Sequence, residues 1–198
     1  MVSEFVLDGF CRVTKLLYIV YLSTIRLSLV NGHFAPLSGR RELNAIYVFW
    51  HGEMFVIMPF ARKCGMGLMY LLDLKNRFYA GVGRALGYQT VPVTSELRAT
   101  IKLKDILERG FSVGIPLDAP KGPLHVVHPG AYYLAAKTGR PIITVKMEAD
   151  TCIRLKNRWD KYMIPLPFTS VTFKGGGPIY AAGKSREQVA EEIRRNLA

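Results

Sequence analysis

Apolar positions along the chain follow two periodicities. Residues 4 to 29 place Phe5, Phe10, Val13, Leu16, Leu17, Val20, Tyr21 and Ile25 at near-helical spacing, with Arg12, Lys15 and Arg26 elsewhere on the wheel. This predicts a helix with one apolar side, either packed on the core or lying in a membrane interface. From residue 45 onward, short apolar runs alternate with helical patterns. The runs are Ala45 to Trp50, Gly67 to Leu72, Tyr88 to Val93, Ser112 to Leu117, Pro141 to Met147 and Ser170 to Lys174. Alternation of this kind predicts crossover units and an α/β fold with a mostly parallel sheet flanked by helices.

The helices between the runs carry their own punctuation. Ser95 is placed to cap a helix bearing Leu97, Ile101 and Ile106, with Gly110 just beyond its end. Ser185 and Gln188 form a capping box ahead of Val189, Ile193 and Leu197. Gly130 to Lys137 reads as a further helix closed by Gly139. No repeat, low-complexity tract or Pro/Ser-rich linker interrupts this order, so residues 1–198 are expected to form one domain, the first 30 supplying the N-terminal helix.

Composition narrows the class. The hydrophobic fraction is 49% and the charged fraction 21%, which excludes a disordered chain. Lys and Arg total 27 against 15 Asp and Glu, and the net charge of +12 favours a polyanionic partner: nucleic acid, anionic lipid or an acidic carrier. Nucleic acid is disfavoured among these, because the basic residues are dispersed and no RNA-recognition aromatic signature or zinc spacing is present. Three scattered cysteines, Cys11, Cys64 and Cys152, indicate neither a disulfide framework nor a zinc site and fit a reducing compartment. The apolar run after Lys15 is seven residues long, where a spanning helix needs about 20. Glu4 and Asp8 ahead of it do not suit a signal peptide, so the segment is expected to be retained.

Three apparent motifs fail on context. Gly110-Phe-Ser112-Val-Gly114 matches a nucleophile elbow, but a helix precedes it and a strand follows, the reverse of the required order, so Ser112 reads as structural. Gly81-Val-Gly83-Arg84-Ala-Leu-Gly87 lies late in a helical pattern and reads as a small-residue helix face, not a dinucleotide loop. His33, His125 and His128 sit among Gly and Pro without a second ligand at metal spacing, so no metal is expected.

Two segments are placed to carry chemistry. Ile46-Tyr-Val-Phe-Trp50 reads as a strand buried on both faces, and His51-Gly52-Glu53 follows it. His51 therefore ends a strand, where ligands of open α/β sheets collect, and imidazole suits general-base work near neutral pH. In Gly114-Ile-Pro-Leu117-Asp118-Ala119-Pro120-Lys121-Gly122-Pro123, another strand delivers an acid and then a cation on a turn held by prolines and glycine. Lys121 is suited to meet a phosphate; Asp118 is suited to accept from a hydroxyl or to orient an imidazole.

Five ordered pieces are shared with a known family: Phe49-Trp50-His51-Gly52, Leu86-Gly87-Tyr88-Gln89-Thr90-Val91, Leu117-Asp118-Ala119-Pro120-Lys121-Gly122-Pro123, Pro129-Gly130-Ala131 and Gly139-Arg140-Pro141-Ile142-Ile143-Thr144-Val145. Their order and spacing resemble the lysophospholipid acyltransferase-like superfamily, specifically a small bacterial branch known only as a domain of unknown function. The segment from Arg154 through Trp159 and Asp160 to Phe168 is similar to that branch too, and the resemblance spans roughly residues 40 to 180.

The resemblance implies an O-acyltransferase of phospholipid biosynthesis, peripheral or monotopic on the cytoplasmic face of the cell membrane. It would move a fatty acyl group from acyl-CoA or acyl carrier protein to a hydroxyl of a lysophospholipid or related lipid. No tightly bound cofactor is implied. His51 would be the general base, with Glu53 and Asp118 as catalytic companions. Gly52, Asp73, Lys75, Ala119, Pro120, Lys121 and Gly122 would bind substrate, Lys121 meeting the acceptor phosphate. The wider superfamily keeps an aspartate five residues after its histidine to orient the ring, but Val56 stands there in this chain. Glu53, Asp73 and Asp118 are left to compete for that role. The other reading of the charge is a nonenzymatic basic module that binds anionic lipid or nucleic acid, which leaves both strand-end segments without a purpose.

Overall fold

The computed structural model describes residues 4–30, 44–61, 67–71, 81–86, 89–93, 95–120 and 122–198. Helix α1 (Glu4–Ser23) leads into strand β1 (Arg26–Val30). Strand β2 (Ile46–Phe49) passes through a 3-10 turn (His51–Glu53) into α2 (Met54–Ala61), and β3 (Gly67–Leu71) follows. Next come a short helical stretch at 81–85, then β4 (Gln89–Val93), α3 (Glu96–Glu108), β5 (Val113–Pro116), α4 (Gly130–Thr138) and β6 (Ile142–Ala149). A small hairpin, β7 (Cys152–Arg154) and β8 (Met163–Pro165), precedes the long β9 (Ser170–Ile179) and α5 (Arg186–Leu197).

Seven strands form one sheet in the order β1-β9-β6-β2-β5-β3-β4, and β7 and β8 pair separately. Neighbours in the large sheet run parallel, except that β6 and β9 are antiparallel. Helices cover both faces, as a largely parallel sheet requires. Alternate residues of β2 feed two cores. Tyr47 and Phe49 join Val56, Ile57, Val145 and Phe173 beneath α1 and α2, whereas Ile46, Val48 and Trp50 join Leu107, Leu134, Val189 and Ile193 beneath α3, α4 and α5. All four residues of β2 are buried, which accounts for its unbroken apolar sequence.

The helix termini follow their sequence signals. Ser95 Oγ accepts from the Arg98 N–H at 3.3 Å, the Ser185–Gln188 capping box is complete, and Gly139 closes α4 in the left-handed region at φ 67°. Ser112 accepts from the Ala45 N–H at 3.3 Å, a structural bond between the starts of neighbouring strands. The face at Gly81 lies against α1, where an added Cβ would come within 2.6 Å of Cys11 Sγ.

Two expectations need correction. The helix anticipated to residue 29 ends at Ser23, and Arg26–Val30 is instead an edge strand beside β9. The chain turns at Thr24, whose hydroxyl donates to the Tyr21 carbonyl, and Arg26 N–H then bonds Thr169 O at 3.0 Å. The last sheet strand runs on to Ile179, past the expected Lys174, through three glycines and Pro178. Gly176 is needed there because a Cβ would meet Thr144 Oγ1 at 2.6 Å, and Gly177 takes φ 113°.

Candidate active site

Three pieces of chain converge beyond the carboxyl end of β2. The first is the 3-10 turn, which brings His51 out of the sheet with its side chain 21% exposed. The second is the turn after β5. Leu117 N–H continues the ladder to Phe49 O at 2.9 Å, and Asp118 then lies fully buried. Its Oδ1 accepts from the His51 backbone N–H at 2.9 Å and its Oδ2 from the His125 backbone N–H at 3.1 Å. Asp118 thus ties the ends of two strands and the 122–128 loop together, and it holds His51 by its main chain instead of its ring. Gly122 N–H and His128 Nε2 reinforce the turn through bonds to Asp118 O (2.9 Å) and Gly122 O (3.1 Å).

The third piece is the β7–β8 hairpin, whose connection carries Arg158, Trp159 and Asp160. Asp160 Oδ2 stands 2.8 Å from His51 Nδ1. This carboxylate is fully satisfied: Arg158 forks onto it through Nε (2.9 Å) and Nη2 (2.8 Å), and the Tyr162 N–H adds a longer bond at 3.3 Å. Burial pushes its pKa up, but hydrogen bonds from Arg158 and His51 more than offset this and hold it down at about 2. An ionised carboxylate only accepts, so His51 Nδ1 carries a proton, and in the neutral ring this leaves the lone pair on Nε2. Trp159 and Tyr162 rings flank the imidazole at 5.4 and 6.1 Å between centroids.

Glycines permit this convergence. A Cβ on Gly52 would collide with the Asp160 carbonyl oxygen. Gly122 takes φ 75°, and a Cβ there would come within 2.8 Å of Trp159 Cε3. The His-Gly pair and the Gly-Pro turn are therefore seats for the hairpin that supplies the acid.

Of the three acids expected to compete for orienting the ring, Glu53 and Asp118 are engaged elsewhere. Glu53 points to β6, where its Oε2 accepts from the Met147 N–H at 2.8 Å. The ladder between β2 and β6 ends at Val48 and Thr144, and the Glu53 carboxyl supplies an acceptor where strand pairing has stopped. Burial raises its pKa to about 7 against the opposing pull of that hydrogen bond and of Lys146 and Arg154. Asp118 holds the backbone, as described. Asp73, Lys75 and Lys121 lie outside the described residues. Ala119 and Pro120, joined by a cis peptide bond, continue the Asp118 turn toward Gly122. Val56 is fully buried in the core with Tyr47 and Phe49.

Asp160 was not among the acids anticipated. It lies 109 residues from His51, and the available signal was its place in the Trp159-Asp160 segment together with the glycine after the histidine.

No family model matches the chain. It is 28% identical over 162 residues to an uncharacterized protein of Rickettsia prowazekii (strain Madrid E), covering 79% of this chain and 70% of that protein. Among solved structures it is similar to the 1-acyl-sn-glycerophosphate acyltransferase PlsC from Thermotoga maritima. The TM-score is 0.59 with 18% identity, over 98% of this chain and 79% of that one. The layered α/β architecture, with its mostly parallel sheet and leading helix, is therefore an acyltransferase-like fold.

Proposed function

We propose that this chain is an O-acyltransferase that moves a fatty acyl group from acyl-CoA or acyl carrier protein to a hydroxyl of a lysophospholipid or related lipid, with His51 as general base. The observation that carries this reading is the His51–Asp160 pair at the end of a buried strand, in a fold shared with an acyltransferase. His51 Nε2 takes the acceptor's hydroxyl proton as its oxygen attacks the thioester carbonyl. Asp160 holds the ring in the needed tautomer and stabilises the imidazolium. Collapse of the tetrahedral intermediate breaks the C–S bond, and the imidazolium returns its proton to the departing thiolate.

Membrane association is part of the proposal. On α1, Phe10, Val13, Leu16, Leu17 and Val20 are each more than half exposed, on the side opposite the one packed through Cys11, Tyr18 and Leu22. No described helix is long and apolar enough to cross a membrane, so this stripe suits a helix lying in the interface of an anionic bilayer. A run of rings joins α1 to the site: Tyr21 to Phe55 at 5.5 Å, Phe55 to Tyr162 at 6.3 Å and Tyr162 to His51 at 6.1 Å. Docking through α1 would bring His51 to the lipid surface that carries its acceptor.

The test is incubation of the protein and its His51→Ala variant with labelled acyl thioesters and a panel of lysolipids and glycolipids. Transfer by the wild type is expected, with a loss of about 10²–10⁴-fold in the variant. Equal product from both would remove His51 from the mechanism. Release of fatty acid independent of any acceptor would make the enzyme a hydrolase. A folded protein that binds liposomes yet transfers to nothing would favour the basic binding module.

A further inference from the structure

A cavity of about 620 Å³ opens beyond the carboxyl ends of β2 and β6, within the size range of small-molecule sites. Trp50 and Glu53 from the β2 end, His125 from the loop clamped by Asp118, Lys146 from β6, Arg154 from the hairpin and Arg194 from α5 line it. Ligands of open α/β sheets gather in this location.

The charges around the cavity are not equally committed. Lys146 bonds Glu148 and the Ala198 main-chain oxygen, Glu148 is also held by Lys174, and Arg194 pairs with exposed Glu191. Glu53 is engaged by the Met147 N–H. Arg154 is exposed and its side chain has no hydrogen bond or ion pair among the described residues, leaving the guanidinium fork available to a planar or tetrahedral anion. Trp50, its ring tilted against His125 with centroids 4.8 Å apart, adds an apolar surface to the lining.

We infer that this cavity binds the phosphate end of the acyl donor's pantetheine arm, with Arg154 as its principal ligand and Arg194 as a second cation. The assignment rests on the acyltransferase reading. Both co-substrates carry phosphate, and their chemistry separates them. The phosphate of a lysolipid lies a few bonds from the reacting hydroxyl and must sit close to His51. A thioester donor carries its phosphate at the far end of a long flexible arm and needs a site set back from the reacting carbonyl. The cavity shares the Trp50–Glu53 turn with the site, yet His51 does not line it, which fits the donor.

Calorimetric titration of the purified protein with 4′-phosphopantetheine, sn-glycerol 3-phosphate and inorganic phosphate tests this without requiring turnover. Phosphopantetheine is expected to bind, Arg154→Gln to weaken it about tenfold to a hundredfold, and Arg194→Gln to weaken it less. Arg154 is exposed, so the variant should keep the wild-type circular dichroism spectrum. In turnover, Arg154→Gln should raise KM for the donor and leave KM for the acceptor unchanged. Equal phosphopantetheine affinity in wild type and Arg154→Gln overturns the assignment. So does glycerol phosphate binding that is lost in the same variant, which would place the acceptor in the cavity. Failure of the acyltransferase reading itself is distinguishable, because it removes transfer without touching the Arg154 dependence of binding.

Discussion

At the scale of the residue, the proposed mechanism turns on Asp160. Its carboxylate joins one imidazole nitrogen to a guanidinium fork, so its removal should affect both proton transfer and folding. Asp160→Asn keeps the shape but can offer His51 an amide N–H, favouring the wrong tautomer. Activity should fall about 10²–10⁴-fold with little change in acceptor KM. A variant retaining full kcat would show that the ring needs no acid. Glu53 gives a separate, pH-dependent effect. Its folded pKa of about 7 lies above its ordinary value of 4.5, so the associated stability is complete below about pH 4.5 and is lost as pH rises through 7. The full difference is about 3 kcal/mol. Glu53→Gln keeps an acceptor for Met147 and should be more stable than wild type at pH 8.5 but not at pH 5 in urea unfolding. Parallel stability curves for the two proteins would refute it. Asp160 works in a different window: its folded pKa of about 2 lies below the ordinary 3.8, so its contribution holds above about 3.8 and fades as pH falls toward 2. The strand-end position of His51 was legible from the apolar run before it, but its pairing with Asp160 was not, because nothing local ties an aspartate to a histidine 109 residues away.

At the scale of the element, the site depends on how closely the β7–β8 hairpin seats against the turn at the end of β2. Gly52 permits that seating, since any side chain there strikes the Asp160 carbonyl. Gly52→Ala should push the hairpin away, lengthen the His51–Asp160 bond and lower kcat at least tenfold while the sheet survives; it should also cost about 1–3 kcal/mol. A Gly52→Ala protein with unaltered kcat and stability would mean the hairpin does not need its present approach. These elements also show where periodicity is informative. The four buried residues of β2, the Ser95 cap and the Ser185–Gln188 capping box are strong local signals with local physical causes. Strand β1 escaped detection because Leu27, Leu29 and Val30 continue the greasy composition of α1, and its pairing with β9 is settled 144 residues away, as at Ser28 and Thr172. Strands β7 and β8 have three residues each, too few to display a period.

At the scale of the whole molecule, the outward stripe of α1 and the net charge of +12 would, under the proposed function, serve one event, arrival at an anionic lipid surface. The apolar stripe contributes burial, at roughly 25 cal/mol per Å² removed from water, and the basic balance contributes attraction that salt weakens. The two contributions can be separated by experiment. Deleting the first 30 residues would also remove β1 from the sheet edge and Tyr18 and Tyr21 from the core, so substitutions on the outer stripe are the cleaner probe. Leu16→Ser, Leu17→Ser and Val20→Ser together alter only exposed positions, and the triple variant should remain folded. In flotation with vesicles containing anionic lipid, wild type should rise with the vesicles and the variant should stay behind. Moderate salt should weaken wild-type binding without abolishing it, because the apolar term is not screened. Transfer to a lipid acceptor in vesicles should fall in the variant in step with binding, whereas transfer to a water-soluble short-chain acceptor should not, since His51 and Asp160 are untouched. Undiminished flotation of the triple variant would assign the exposed face of α1 to something other than lipid.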